Sequence, residues 1–351
     1  MLYVLPIEPL QERYSAQWLK WTENYVRSNG IVGHMIINPT KNAYATIQRG
    51  SFLDVVNTNV YKNAQLQIVL ELFQQDRIKD GDIFWVHDMW FPGLEMLAYI
   101  RDGLGLNIKI YGMLHAGTYD SHDFLAKKGM RKWGKYQESA WFNIVDGIFV
   151  ATNFHKKLIK KNSTGISAKK IHVTGFPMYA NDFVPKWDKN PKDKIIVFPH
   201  RLDAEKQPHL FDEFKQEMLE KYPWSREYQF IKTKEVCKTK DEYYQLLRRA
   251  EYAVSFAEQE TWGIAQIESV LCGCIPIIPN RLSYREMYPS QFKYSQDNKT
   301  DDASMAASLI DTLQNHIKPK AIDSVLRQLQ NDMRRNGESA FNNMMEIMGV
   351  I

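Results

Sequence analysis

Two carboxylates, Glu260 and Glu268, stand eight positions apart around Thr261, Trp262 and Gly263. Upstream, Arg201 and Lys206 bracket Asp203 and Glu205 in the run 198–206, FPHRLDAEK. Two cations on one strand-to-helix loop can neutralise a diphosphate, Arg through a bidentate fork and Lys as a point charge. The plainer alternative is a pair of solvated cations beside an acidic pair. A helix opening near Trp262-Gly263 adds free backbone N–H groups and a positive dipole end. Gly263 lets a ligand approach the backbone closely, and both carboxylates can accept hydrogen bonds from sugar hydroxyls. A glycoside-hydrolase carboxylate pair is the rival chemistry, but it leaves the phosphate-binding groups around the pair without a purpose.

These residues need elements to hold them. Residues 254–279 read as a short apolar strand, a polar loop, a helix and a second buried strand. This puts Glu260 just before the helix and Glu268 two turns along it, both at the ligand edge of a parallel sheet. Short apolar runs at 2–7, 31–38, 82–86, 108–113, 147–152 and 170–174 alternate with helical patterns at 15–28, 63–76, 94–101, 131–145 and 154–161. The polar, proline-bracketed stretch 185–194 interrupts the alternation. It restarts with strands near 195–198, 227–233, 252–256 and 275–278, and helices at 207–221, 241–250 and 261–272. The tail from 304 to 348 reads as helical. The predicted fold is α/β, two Rossmann-like domains facing each other across a cleft, with a helical C-terminus. The expected divisions are an N-terminal domain at 1–184, a linker at 185–194, a second domain at 195–320, and a segment 321–351 packing back on the first domain.

Length and composition set bounds. At 351 residues the chain exceeds what a single core usually supports, and its 44% hydrophobic content is ample for two. A net charge of +4 is compatible with a polyanionic partner without requiring one. The run MLYVLPIEPLQERY lacks a basic leader, and no apolar run reaches the ~20 residues that span a bilayer. A soluble, cytoplasmic protein without stable membrane insertion is therefore expected. Cys237, Cys272 and Cys274 make no disulfide framework and read as thiols, the last two buried.

Other motifs weigh against familiar classes. The first strand-to-helix loop lacks G-x-G-x-x-G, which argues against a nicotinamide or flavin dehydrogenase. Asp80-Gly81-Asp82 precedes a strand, away from the ligand edge, and reads as an ordinary turn rather than a metal-binding Asp-x-Asp. No metal site and no cofactor are expected.

The runs 198–206 and 260–268 resemble the signatures of retaining GT-B glycosyltransferases, which use nucleoside-diphosphate sugars and carry an Arg…Lys pair and an E-x₇-E motif. FPHR at 198–201, DEYYQLL at 241–247, ESVLCGCIP at 268–276 and YREMYP at 284–289 are closer still to enzymes that mannosylate queuosine in tRNA. The likeness covers residues 195–295 well, and the first half only at His115 and 149–154. It implies that Arg201 and Lys206 hold the diphosphate of a UDP- or GDP-sugar. Glu260 would bind the transferred sugar and Glu268 the ribose, with Thr261, Trp262, Gly263 and Ile264 completing the donor site. His115 would face the donor sugar. The resemblance further implies metal-independent transfer with retention, the leaving phosphate taking the acceptor's proton. The sequence departs from the family at Glu12-Arg13-Tyr14-Ser15, where a glycine-rich loop is usual and Arg13 is the residue placed to take over a phosphate contact.

The acceptor half is poorly matched. Acceptor-side candidates are His87, Asp88, Asp120, Lys132 and Trp133. Lys127, Lys128, Arg131, Lys132 and Lys135 interleave with Trp133 and Tyr136, and a second group comprises Lys156, Lys157, Lys160, Lys161, Lys169 and Lys170. Cations with aromatic platforms suit a nucleic acid, whereas a solvated helix face would look the same in sequence. The likeness to a tRNA-base enzyme favours a modified base in tRNA or in hydroxymethylated DNA of the kind some phages carry, acting then in the host cytoplasm. A glycan, lipid or small-molecule acceptor, a sugar-nucleotide epimerase and a non-catalytic nucleotide-binding module remain the alternatives.

Overall fold

Runs of apolar residues buried on both faces build two parallel sheets, as expected where helices cover each side. The computed structural model describes residues 1–11, 13–40, 47, 54–163, 165–184, 191–295 and 301–351. Two compact units divide the chain, Met1–Pro177 with Ser339–Ile351 and Met178–Glu338. Of the predicted linker, residues 185–190 lie outside the described residues.

The first unit runs β1 (Leu2–Leu5), α1 (Tyr14–Ser28), β2 (His34–Ile36), α2 (Val55–Gln74), β3 (Ile83–Val86), α3 (Leu94–Leu104), β4 (Lys109–Met113), α4 (Phe124–Lys127), α5 (Arg131–Ile144), β5 (Gly147–Val150), α6 (Asn153–Asn162) and β6 (Ile171–Val173). Its strand order is β2-β1-β3-β4-β5-β6, parallel throughout. Tyr3 stacks on Phe84 at 5.0 Å within a core that includes Val69, Ile110, Phe142 and Ile148. The order turns back between β1 and β3, so the loops that follow these two strands flank the crevice where such sheets bind ligands.

The second unit runs β7 (Asp193–Phe198), α7 (Pro208–Lys221), β8 (Gln229–Lys232), α8 (Thr233–Val236), α9 (Lys240–Arg249), β9 (Ala250–Val254), α10 (Ile264–Leu271), β10 (Ile275–Pro279), α11 (Tyr284–Met287), β11 (Lys293–Tyr294) and α12 (Asp302–His316). The strand order β11-β10-β9-β7-β8 turns back between β7 and β9. The loop after β7 carries Arg201 and Lys206, and the loop after β9 carries Glu260 and Gly263. The helix α13 (Pro319–Met348) closes the chain. Its last turns belong to the first unit, where Phe341 stacks on Tyr25 at 4.8 Å.

Several boundaries move for identifiable reasons. α2 begins eight residues before the predicted start at 63, because Asp54 caps it by accepting Asn57 N–H at 3.1 Å. The helical tail divides at Pro319, which starts α13 but cannot continue α12. At Asp80-Gly81-Asp82, Gly81 has φ +86° and Asp80 accepts Asn107 N–H at 2.7 Å, the geometry of a turn. Cys272 and Cys274 are buried and free, and the Cys274 thiol, pushed up to about 11 by burial, donates to Leu247 O at 3.1 Å. Among the described residues no helix is long and apolar enough to cross a membrane.

Candidate functional site

Gly263 sets where α10 begins. Its φ of +82° is left-handed, and a Cβ there would lie 2.9 Å from Tyr284 Cε1. That turn delays the helix from the expected 261 to Ile264, so Glu268 is its fifth residue, one turn in rather than two. No side chain caps the helix. The first backbone bonds, from Gln266 and Ile267 N–H, return to Gly263 O at 3.0 and 3.1 Å. The N–H groups of Ile264 and Ala265 precede them at the positive end of the dipole, an arrangement suited to an anion.

Lys206 and Glu260 form the centre of this edge. Lys206 is 5% exposed, and its Nζ donates to Glu260 Oε1 at 2.9 Å and to Gln259 O at 2.5 Å. Glu258 N–H donates to Glu205 O at 2.9 Å, tying the loop after β9 to the loop after β7. His200 lies with Nδ1 3.7 Å from Glu260 Oε1. Burial, then Lys206 and Arg201, hold its imidazole well below the usual range, so the contact involves a neutral ring. Arg201 is half-buried and already paired: it donates to Asp203 Oδ2 at 2.6 Å and to Glu205 Oε1 at 3.2 Å. Tyr284 and Tyr288 lie close enough to Glu260 that burial, and then its charge, push both phenols well above their ordinary value.

Glu268 is equally constrained. It is 3% exposed, and its Oε1 accepts from Lys240 Nζ at 2.6 Å and from Tyr244 OH at 2.7 Å. Tyr244 lies within the 241–247 run quoted above and Lys240 just before it, and their i,i+4 spacing places both on one helix face, but the sequence alone does not single out either as a partner of Glu268. Arg281 was passed over as well. Its guanidinium donates to Phe256 O and Ala257 O at 2.7 and 3.0 Å and pairs with Asp302 at 2.8 Å, pinning the start of the loop that carries Glu260. Among the described residues no group of three or more His, Cys, Asp or Glu is placed to hold a metal ion.

In the first unit, the loop after β1 places Arg13 against Glu8, with NH1 3.1 Å from Oε1, and Thr58 of α2 donates to the same oxygen at 3.1 Å. Glu12 lies outside the described residues. After β3, the ring of His87 is fully buried and stacked on Trp18 at 4.0 Å, so its side chain belongs to the packing. Asp88 accepts from Lys62 Nζ at 2.8 Å and from Trp90 N–H at 3.1 Å, and Lys62 also donates to Trp90 O. Burial pushes the Asp88 carboxyl up, but Lys62, His115 and the Trp90 N–H together outweigh it and the group ends below its ordinary range. His115 follows β4, with Nε2 2.7 Å from His87 O and its ring against Trp18 at 5.4 Å. Burial lowers its imidazole, partly offset by Asp88. Asp120 is buried and accepts His122 N–H at 3.0 Å. The same loop is held by Glu138 of α5, which accepts Thr118 N–H at 2.5 Å and the Thr118 hydroxyl at 2.7 Å. Lys132 and Trp133 are exposed on α5.

No family model matches the chain. A tRNA-queuosine alpha-mannosyltransferase of Drosophila melanogaster is 30% identical over 133 residues, which cover 32% of this chain and 35% of that protein. The match thus spans about a third of the length of that curated relative. Among solved structures, an α,α-trehalose-phosphate synthase (UDP-forming) from Burkholderia vietnamiensis superposes with a TM-score of 0.66 at 12% identity, covering 99% of both chains. The N-terminal domain of Candida albicans trehalose-6-phosphate phosphatase gives 0.65 at 14%, covering 99% of this chain and 96% of that one. Sucrose-phosphate synthase from Thermosynechococcus elongatus gives 0.65 at 11%, covering 99% and 97%. With two parallel α/β units and a helical C-terminus, the chain has the GT-B fold of the glycosyltransferases.

Proposed function

We propose that the chain is a retaining, metal-independent glycosyltransferase that moves a sugar from a UDP- or GDP-sugar to a hydroxyl on a modified nucleic-acid base. The observation that carries this reading is the convergence, at the switch point of the second unit, of Lys206 bonded to Glu260 with the uncapped start of α10. Charge grows on a departing diphosphate as the anomeric carbon becomes cationic. Lys206, Arg201 and the N–H groups after Gly263 are the fixed charges and dipoles assigned to the first of these. Glu260, held by Lys206, is assigned to hydroxyls of the transferred sugar. Glu268, held by Lys240 and Tyr244, is assigned to the ribose, and Thr261, Trp262 and Ile264 complete the donor surface. The role of His115 rests on the resemblance, Arg13 is assigned a phosphate contact where the chain departs from the family, and residues 1–184 are assigned to the acceptor side. The nucleic-acid acceptor is supported by the relative's name, a tRNA-queuosine mannosyltransferase.

The test is a thermal-shift screen of nucleotide sugars, followed by mass spectrometry of tRNA and hydroxymethylated DNA incubated with the best donor. The expected result is a hexose mass gain that persists in EDTA, with the donor's anomeric configuration kept in the product. No shift with any donor, or donor epimerised without acceptor, refutes the reading. Loss of the reaction in EDTA, or an inverted product, refutes its metal-independent or retaining part.

A further inference from the structure

The two basic groups on the first unit differ chiefly in the aromatic surface that stands beside them. In the later group, Lys156 donates to Ile171 O at 2.6 Å, and Lys170 donates to Asn143 O and Val145 O at 2.7 Å, capping the end of α5. Those two serve the fold, while Lys157, Lys160, Lys161 and Lys169 of the same group are exposed with no exposed aromatic ring interleaved among them. In the earlier group, Lys127 and Lys128 beside α5 and Arg131, Lys132 and Lys135 on it are exposed and pair with no carboxylate among the described residues. With them stand Trp133 and Tyr136, 53% and 68% exposed, two large rings set in the same basic patch.

The helical period orders these residues. At about 100° per residue, successive positions around α5 are Arg131, Lys135, Lys132, Tyr136 and Trp133. A strip of three cations thus runs beside a strip of two aromatics, and the two touch where Lys135 Nζ lies over the Tyr136 ring at 4.7 Å, so a base stacked on that face takes the place of the ammonium. The opposite face is buried through Gly134, Glu138 and Trp141. It is rigidly seated: Trp141 Nε1 donates to Glu95 at 2.8 Å, and a Cβ at Gly134 would meet Thr118 Cγ2 at 2.6 Å. Trp133 rests edge-on against Trp90 at 5.8 Å, beside the loop that carries Asp88.

We infer that the outer face of α5 binds an unpaired nucleic-acid strand, phosphates on the Arg131–Lys135–Lys132 strip and bases stacked on Tyr136 and Trp133. The inference rests on the nucleic-acid reading of the acceptor and narrows it. Exposed rings stack on bases only where these are free of a duplex, whereas a duplex offers such a helix phosphates alone.

The test is fluorescence anisotropy of the full chain with a labelled mixed-sequence single strand and with the same sequence as a duplex, across a salt series. The single strand is expected to bind more tightly, with a salt slope of about 0.7 per phosphate contact, so Lys132→Ala with Lys135→Ala lowers the slope by about 1.4. Trp133→Ala and Tyr136→Ala are expected to weaken binding about fivefold or more each without changing the slope, and Trp133→Phe to restore most of the loss. Equal or tighter duplex binding, or aromatic variants with unchanged affinity, overturns the inference. Heparin binding that is as sensitive to Trp133→Ala as the oligonucleotide's also overturns it, since heparin has no bases to stack. Each variant is also checked for the thermal shift with the donor nucleotide. If that shift is missing in the parent chain while strand binding behaves as expected, the donor reading fails and this surface stands. A normal shift with salt-indifferent strand binding sinks this surface alone.

Discussion

Glu138 offers a prediction whose size can be worked from the structure. The side chain is 1% exposed, and burial pushes its carboxyl from 4.5 up to about 7, against the lowering effect of the Thr118 hydrogen bonds. The folded chain therefore holds a proton that the unfolded chain has released, at every pH between about 4.5 and 7. Stability must fall as pH rises through that window and stay lower above it. A shift of this size corresponds to roughly 3 kcal/mol. Glu138→Gln removes the titration while keeping the contacts: the amide oxygen still accepts Thr118 N–H, and the amide nitrogen can donate to the Thr118 hydroxyl. The two proteins should match in stability near pH 4.5, and the variant should gain progressively to about 3 kcal/mol by pH 8. Urea unfolding followed by tryptophan emission is a suitable assay, because the first unit carries Trp18, Trp21, Trp85, Trp90, Trp133 and Trp141. Parallel pH profiles, or a variant less stable than the parent at pH 8, would refute the reasoning. The outcome bears on the proposed acceptor side, since Thr118 lies on the loop between His115 and Asp120.

Three further outcomes follow from the second unit. Lys206→Met strips Glu260 of its buried cation and should destabilise that unit by about 3–5 kcal/mol in chemical denaturation, with turnover down on the order of a hundredfold or more. Adding Glu260→Gln to it should recover stability but not turnover. Gly263→Ala places a side chain at φ +82° and 2.9 Å from Tyr284, so thermal stability and the donor-induced thermal shift should both drop, and Tyr284→Phe should not rescue them. Lys240→Met leaves Glu268 with Tyr244 alone and should raise the donor KM about tenfold with kcat nearly unchanged; a kcat effect of the same size would mean that Glu268 acts in the transition state.

The sheets were legible in the sequence because both of their faces are buried. Runs such as residues 147–150 and 195–198 are apolar at successive positions, a pattern that survives without any tertiary information. Helix starts were harder to read, because they depend on single backbone conformations. Asp54 extends α2 by one hydrogen bond, and Gly263 delays α10 by adopting a positive φ. The motif residues Arg201, Lys206, Glu260 and Glu268 could be picked out by type and spacing, but their partners could not. Lys240 and Tyr244 lie 28 and 24 positions from Glu268, and Lys62 lies 26 from Asp88. Nothing in periodicity connects them. Glu138 was hidden for the opposite reason: on an amphipathic stretch a glutamate reads as solvated, and only packing reveals it turned inward beneath Thr118. Lys156 and Lys170 looked like surface charge and proved to be bonded to backbone carbonyls.

The two glutamates of the E-x₇-E run share a feature that bears on how a carboxylate-rich edge can receive a diphosphate. In each, Oε1 is already taken by a lysine ammonium, Lys206 for Glu260 and Lys240 for Glu268. A bare carboxylate about 5 Å from a phosphate charge would repel it by about 3 kcal/mol at an effective dielectric of 20, and a diphosphate carries more than one such charge. Pairing each acid beforehand removes most of that repulsion. It also fixes the carboxylate plane, so that the remaining oxygen meets a hydroxyl without reorganising. In the proposed donor site the lysines would therefore do more than attract phosphate: they would allow acids assigned to hydroxyl recognition to sit beside it. On this reasoning Glu260→Gln should be less harmful to donor binding than Lys206→Met, because the amide keeps an oxygen for Lys206 and adds no repulsion. Calorimetric titration with the donor nucleotide alone would decide the order, and a glutamine variant that binds more weakly than the methionine variant would show that the carboxylate's charge, rather than its shape, holds the site.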